Sequence, residues 1–153
     1  MGIRLTTSID EIDKEISDIL YKVNKDIIRV LSYVGEKCVI EARNRSQEES
    51  WFDQTGNLRS SIGYVIYHNG IKIDSSLFDV VKNGAEGKGT GESLADDIAS
   101  KYPTGYVLVV VAGMSYADYV EAKDNKNVLA SSYSLANTLV PKMMEELKQR
   151  MMK

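Results

Sequence analysis

Apolar residues in the first third of the chain step by three or four positions. Ile9, Ile12, Ile16, Ile19, Val23, Ile27, Val30, Val34 and Cys38 make one helical face. Leu20 and Leu31 widen that stripe, while Asp13, Lys14, Asp18, Lys22, Lys25, Asp26 and Arg29 cover the rest. Ser8 or Asp10 can cap its start. Continued to Arg45, the pattern predicts a helix of roughly 50 Å at 1.5 Å per residue. Asn24 and Gly35 lower helix propensity, so a bend is expected near one of them, and two helices in series fit as well as one. The stripe also suits a coiled-coil dimer. Packing on a sheet is preferred, because strand-forming segments come next that need covering.

Residues 51–62 separate this helical pattern from a strand-like one. Thr55 reads as a helix N-cap, its hydroxyl placed to accept from the free N–H groups of the next turn. Gly56 and Asn57 allow a tight entry. Leu58, Ser61 and Ile62 then share the inner side of a short helix, with Arg59 and Ser60 outward. Trp51 and Phe52 are expected to anchor the turn.

The clearest local signal comes next. Residues 64–68 and 71–74 flank Asn69-Gly70, a pair that tolerates the positive φ angles of a type I′ hairpin turn. A two-residue turn sets His68 opposite Ile71, Tyr67 opposite Lys72 and Ile66 opposite Ile73, with the isoleucines toward the core. Residues 77–81 read as an extension of the second strand. Residues 82–92 contain four glycines and no apolar period, which predicts a flexible, exposed loop. Ser93 can cap a short helix through Ala99, ended by Pro103. The continuous apolar run at 106–112 suits a central strand buried on both faces. After Gly113 and a short segment with Tyr116 and Tyr119, a polar turn at 123–127 leads into a last helix from about Leu129 to Met151. Its inner face is expected to hold Leu135, Leu139, Met143 and Leu147, and Pro141 is expected to interrupt it. The sum is an α+β domain spanning residues 1–153, a mostly antiparallel sheet with a long N-terminal and a C-terminal helix packed on it and the helices on one face.

Composition narrows the function classes. With 43% hydrophobic and 27% charged residues the chain is ordinary for a soluble globular protein. A formal charge of −3 gives no global attraction to nucleic acid or an anionic membrane. Cys38 is alone, so no internal disulfide or cysteine metal cluster is available, and it falls on the apolar stripe as a buried, inert thiol. No stretch approaches the roughly 20 apolar residues of a membrane span, and the first residues lack a secretory signal's apolar core. A reducing compartment is the simplest expectation.

Candidate chemistry is thin. His68 has no Cys, Asp or Glu at metal-ligand spacing and reads as structural or solvent-facing. Residues 84–90 superficially resemble a phosphate-binding loop, but the glycines are wrongly spaced and Gly89 stands where Ser or Thr must come after Lys88. No serine has a Gly-x-Ser-x-Gly setting. Asp96 and Asp97 are adjacent on a helix, so their side chains diverge. Lys142, Lys148 and Arg150 alternate with Glu145 and Glu146 as on a solvated face. Met144, Met151 and Met152 suit either an adaptable contact surface or a frayed end. An enzyme would have to draw on residues such as Asp53, Arg59 and Glu121, gathered in one cleft with shifted pKa values.

Two motifs carry a family resemblance. Thr55-Gly56-Asn57-Leu58-Arg59-Ser60-Ser61-Ile62 comes after the N-terminal helix, and Tyr116-Ala117-Asp118-Tyr119-Val120-Glu121 after a strand ending at Gly113. Together, in this order, they resemble the head–tail joining (neck, or tail-completion) proteins of long-tailed bacteriophages over nearly the whole chain. The chain departs from that family at Ala122-Lys123-Asp124-Asn125, where a Gly-Thr turn is usual, and in the glycine-rich segment, which looks like an insertion. The resemblance implies a structural virion component and not an enzyme, with no cofactor, metal or catalytic residue. It implies a homo-oligomeric ring at the neck or tail, assembled in the host cytoplasm on other neck, connector or tail-tube proteins, and it allows a monomer when isolated. Neither a membrane nor sequence-specific nucleic acid is an expected partner. Asn57, Arg59, Asp118 and Glu121, the polar members of the motifs, become the candidate subunit contacts. A small soluble protein-binding adaptor with no phage role is the alternative.

Overall fold

The computed structural model describes residues 8–44, 52–123 and 127–152. Its elements run α1 (Ile9–Arg43), α2 (Asn57–Ser60), β1 (Ile62–His68), β2 (Ile71–Ser75), α3 (Ala85–Ala99), β3 (Tyr106–Ala112), α4 (Ala117–Ala122) and α5 (Ala130–Met151). The fold is α+β, with the long N-terminal helix, a three-stranded antiparallel sheet in the order β2-β1-β3 and a C-terminal helix.

Ser8 opens α1 with a capping box. Its hydroxyl accepts from the Glu11 N–H at 3.2 Å, and the Glu11 carboxylate accepts from the Ser8 N–H at 3.0 Å. The helix is one element through both Asn24 and Gly35. Gly35 serves close approach: a Cβ there would stand 2.6 Å from the Tyr64 ring, so only glycine lets that ring lie against the helix. At its other end α1 is held by Arg59, whose guanidinium donates to the Arg43 carbonyl in the last turn.

The hairpin turn forms as the Asn-Gly pair predicts, with φ of 51° at Asn69 and 77° at Gly70. His68 pairs with Ile71 and Tyr67 with Lys72. Ile66, however, faces Asp74 and not Ile73, because Ile73 is the extra residue of a β-bulge. The bulge delivers the Asp74 carboxylate to α1, where it accepts a short hydrogen bond from the Ser32 hydroxyl.

The continuous apolar run of β3 lies at a sheet edge, and the central position belongs to β1, whose first five residues are buried. Centrality comes from pairing: β1 meets its hairpin partner on one side and the full length of β3 on the other. Both faces of the sheet are covered, which departs from the single-face packing expected. Ile62, Tyr64 and Ile66 point toward α1, with α5 packed beside that helix. Val65, Val109 and Val111 point the other way, onto Phe78, Ala95 and Ala99.

That second layer exists because residues 82–92 are not a loop. They turn at 82–84 and enter α3, which starts at Ala85 and runs to Ala99 instead of starting at Ser93. Gly87, Gly91, Ala95 and Ala99 are its buried face. A Cβ on Gly87 would overlap the Asn57 carbonyl, and one on Gly91 would overlap the Ser61 carbonyl. Gly89 faces open space. The glycines are therefore spaced for helix packing, where backbone must approach backbone, and their cost in helix propensity is offset by the layer they allow. Residues 77–81 form no strand. Phe78 takes a left-handed φ of 46° and drives its ring, 1% exposed, against Gly63 and Gly91 beneath α3.

α3 ends where Ala99 and the nearby Pro103 predict. In α5, Leu147 is buried and Leu135, Leu139 and Met143 are half-buried, as the spacing implies. The helix continues through Pro141.

Two of the three glycines of α3, Gly89 and Gly91, should respond oppositely to alanine. Gly91→Ala forces backbone apart and is expected to destabilise by about 1–3 kcal/mol. Gly89→Ala meets nothing and should stabilise by up to about 1 kcal/mol through helix propensity. Urea unfolding of the two variants checks this; equal effects would show that α3 is not packed through its glycine face.

Candidate interaction surfaces

The first surface is the free half of α1. Residues 8–22 are exposed all around, and burial begins at Val23 and Asn24. Asn24 marks the departure point: its side-chain oxygen accepts from the Tyr106 hydroxyl at 2.6 Å, and the Tyr106 ring stacks on His68 with centroids 4.1 Å apart. Beyond it the isoleucine stripe continues with no described residue covering it, from 38% exposed at Ile12 to 74% at Ile9. Leu20 and Tyr21 are exposed beside it. Burying one isoleucine contributes roughly 1.5–3 kcal/mol, so such a row in water marks a surface built for contact. The stripe runs the length of α1 in sequence, but only its second half meets the sheet.

The second surface is a groove of about 550 Å³ between α1, β3 and α5. Leu31, Leu108, Val110, Tyr133 and Val140 line it, with Cys38 and Ser132. These last two tie the helices together: the Ser132 hydroxyl donates to the Cys38 carbonyl at 2.8 Å, and the thiol donates to the Ser132 carbonyl at 3.4 Å. Burial, with a smaller contribution from the Glu41 carboxylate, pushes the Cys38 thiol up. A protonated, buried thiol is the inert one expected.

The motif residues proposed as subunit contacts divide unevenly. Asn57 faces α3, its amide donating to Glu86 at 3.2 Å and its oxygen accepting from the Gly87 N–H at 3.3 Å. Arg59 is half-buried against Arg43. Glu121 caps α5, its carboxylate accepting from the Ala130 N–H at 2.7 Å and the Leu129 N–H at 3.4 Å. Asp118 is the one of these four that is exposed. The helix-capping role given to Thr55 is shared and mostly displaced. Thr55 accepts from the Asn57 N–H at 3.2 Å, whereas buried Asp53 accepts from Gly56 and Arg59 at 2.9 and 2.8 Å. Ser60, expected outward, is buried and accepts from the Val81 N–H at 2.8 Å. Phe52 is 60% exposed and so is no core anchor; Leu58, 1% exposed, fills that role. Trp51 lies outside the described residues.

Asp53 also borders a cleft of about 240 Å³ with Thr55, Tyr116 and Val120. Burial, then the Asp53 and Glu86 carboxylates, raises the Tyr116 phenol. Arg59 and Glu121 do not line that cleft, so it does not gather the trio of Asp53, Arg59 and Glu121. Among the described residues no group of three or more His, Cys, Asp or Glu side chains could hold a metal, and no helix is long and apolar enough to cross a membrane. No protein-family model matches the chain, and no curated protein or solved structure matches it.

Glu121 and Asp118 separate an internal role from a free surface. Glu121→Ala should lose the α5 cap and about 0.5–2 kcal/mol of stability. Asp118→Ala should stay within about 0.5 kcal/mol of the parent. Thermal denaturation distinguishes them, and an unchanged midpoint for Glu121→Ala would contradict the capping role.

Proposed function

We propose that this chain is a structural assembly subunit that joins head to tail, or completes the neck or tail, of a long-tailed bacteriophage by forming a ring. The observation that carries it is the uncovered isoleucine stripe of α1, an amphipathic helix projecting from a folded body. Such an element works by shape and contact. The ordered pair of motifs supports placing the contact in a phage particle, with neck, connector or tail-tube proteins as partners. In the body, both motifs stiffen joints that a ring subunit has to keep rigid. Residues 55–62 hold α2 against α3 and α1, and residues 116–121 set the start of α5. A ring needs one surface of each copy to meet a different surface of the next, with a rotation that closes.

The same stripe favours a second reading, a protein-binding adaptor with no phage role, in which the arm docks a single partner. Deleting the gene from a phage or prophage that encodes it separates the two. Head–tail joining predicts full heads and separate tails by electron microscopy, with infectivity restored by the parent chain and not by Ile16→Asp. Infectious particles made without the protein would end the phage reading and leave the adaptor.

A further inference from the structure

We infer that the free arm of α1, residues 9–22, seats in the α1–α5 groove of a second copy, so that copies join head to tail. This rests on the assembly part of the proposed function, that copies of this chain associate, and not on where the assembly sits. Among the described residues the two surfaces are matched deficits on one chain: an apolar helix with no groove and an apolar groove with no filler. A single repeated contact covers both.

The spacing of the stripe says what it packs against. Ile9, Ile12, Ile16, Ile19 and Val23 alternate steps of three and four, a strict heptad repeat of a and d positions. The next heptad position is Asp26, and from Val23 onward the buried face shifts to Ile27, Val30, Val34 and Cys38, close to the period of a straight helix on a sheet. The repeat of a helix–helix seam is thus confined to the part of α1 that leaves the body. Isoleucine at both a and d suits seams of more than two helices. The groove supplies two helical walls, α1 and α5, to which the arm adds a third.

Charge fits as well. Between residues 9 and 22 the arm carries five carboxylates (Asp10, Glu11, Asp13, Glu15 and Asp18) against Lys14 and Lys22, a net of −3. The groove wall on α5 has no carboxylate from Ala130 to Met144 and carries Lys142. An acidic amphipathic helix meets no like charge on that wall, with Glu41 near Cys38 on the α1 side, and the same acidity disfavours an anionic lipid surface as the occupant.

Head-to-tail contact makes a distinctive prediction for mixtures of broken copies. Ile16→Asp spoils the arm and Tyr133→Glu spoils the groove; both positions are at least half exposed, so the folded body survives. By sedimentation velocity on the full chain, the parent should associate with rising concentration. Each variant alone should stay monomeric, and an equimolar mixture should regain association but stop at a one-to-one dimer, because one intact arm and one intact groove remain. Asn137→Glu, another exposed groove position, should behave as Tyr133→Glu does. Association of Tyr133→Glu alone would overturn the proposal in favour of arm-to-arm pairing, which needs no groove, and a mixture that stays monomeric while the parent associates would overturn it as well. A parent chain monomeric at its highest soluble concentration would overturn it too. Failure of phage complementation with this association intact would count against the head–tail role alone.

Discussion

The contact on which the rest depends is backbone against backbone, where α3 lies on α2 and on the start of β1. The Asn57 and Ser61 carbonyls sit where side chains on Gly87 and Gly91 would have to be. Dispersion falls off within an ångström or so, so a helix held away by even one methyl group would leave Phe78 uncovered and the second face of the sheet wet. With α3 in place, Val65, Val109 and Val111 are dry and β1 can be central. The polar bonds around Asn57 then fix how far along α2 the helix sits. Glycine at these positions is a packing choice, and the conformational freedom it brings is a cost tolerated for it.

The other layer is held by ordinary apolar interlock between α1 and β1, with α5 alongside. There the close approach is side chain to backbone, Tyr64 on Gly35, and burial, together with smaller effects of the Asp74 and Glu36 carboxylates, pushes the Tyr64 phenol far up. Asn24 and Tyr106 close that layer at the end where α1 departs. Farther out, the same helix continues with the same kind of apolar face and no described residue beneath it. One continuous element thus serves as core and as arm, and the rigidity of the first part gives the second a fixed direction.

Much of this was legible from apolar spacing: the extent of α1, the Asn-Gly hairpin, β3 and the inner face of α5. Three features were not. α3 escapes a hydrophobic period because its buried face is built of glycine and alanine, whose spacing at 87, 91, 95 and 99 is helical but whose composition argues for a loop. The order of the strands escapes because an apolar run reports burial and not the number of neighbours. The contacts at Asn57, Arg59 and Glu121 escape because exposed and capping polar residues look alike in sequence. The arm left a usable signal in the change from heptad to helical spacing at Val23, though a stripe alone does not say whether its partner is a sheet or another chain.

Hydrogen–deuterium exchange on the dilute chain tests the central claim most directly, that a body closed by the glycine face of α3 carries an arm that no described residue covers. Amides of residues 87–99 should be protected alongside residues 27–42 of α1, while residues 9–22 exchange far faster, as a helix without tertiary cover does. Exchange at 87–92 as fast as in the arm, or an arm as protected as the core at low concentration, would contradict it.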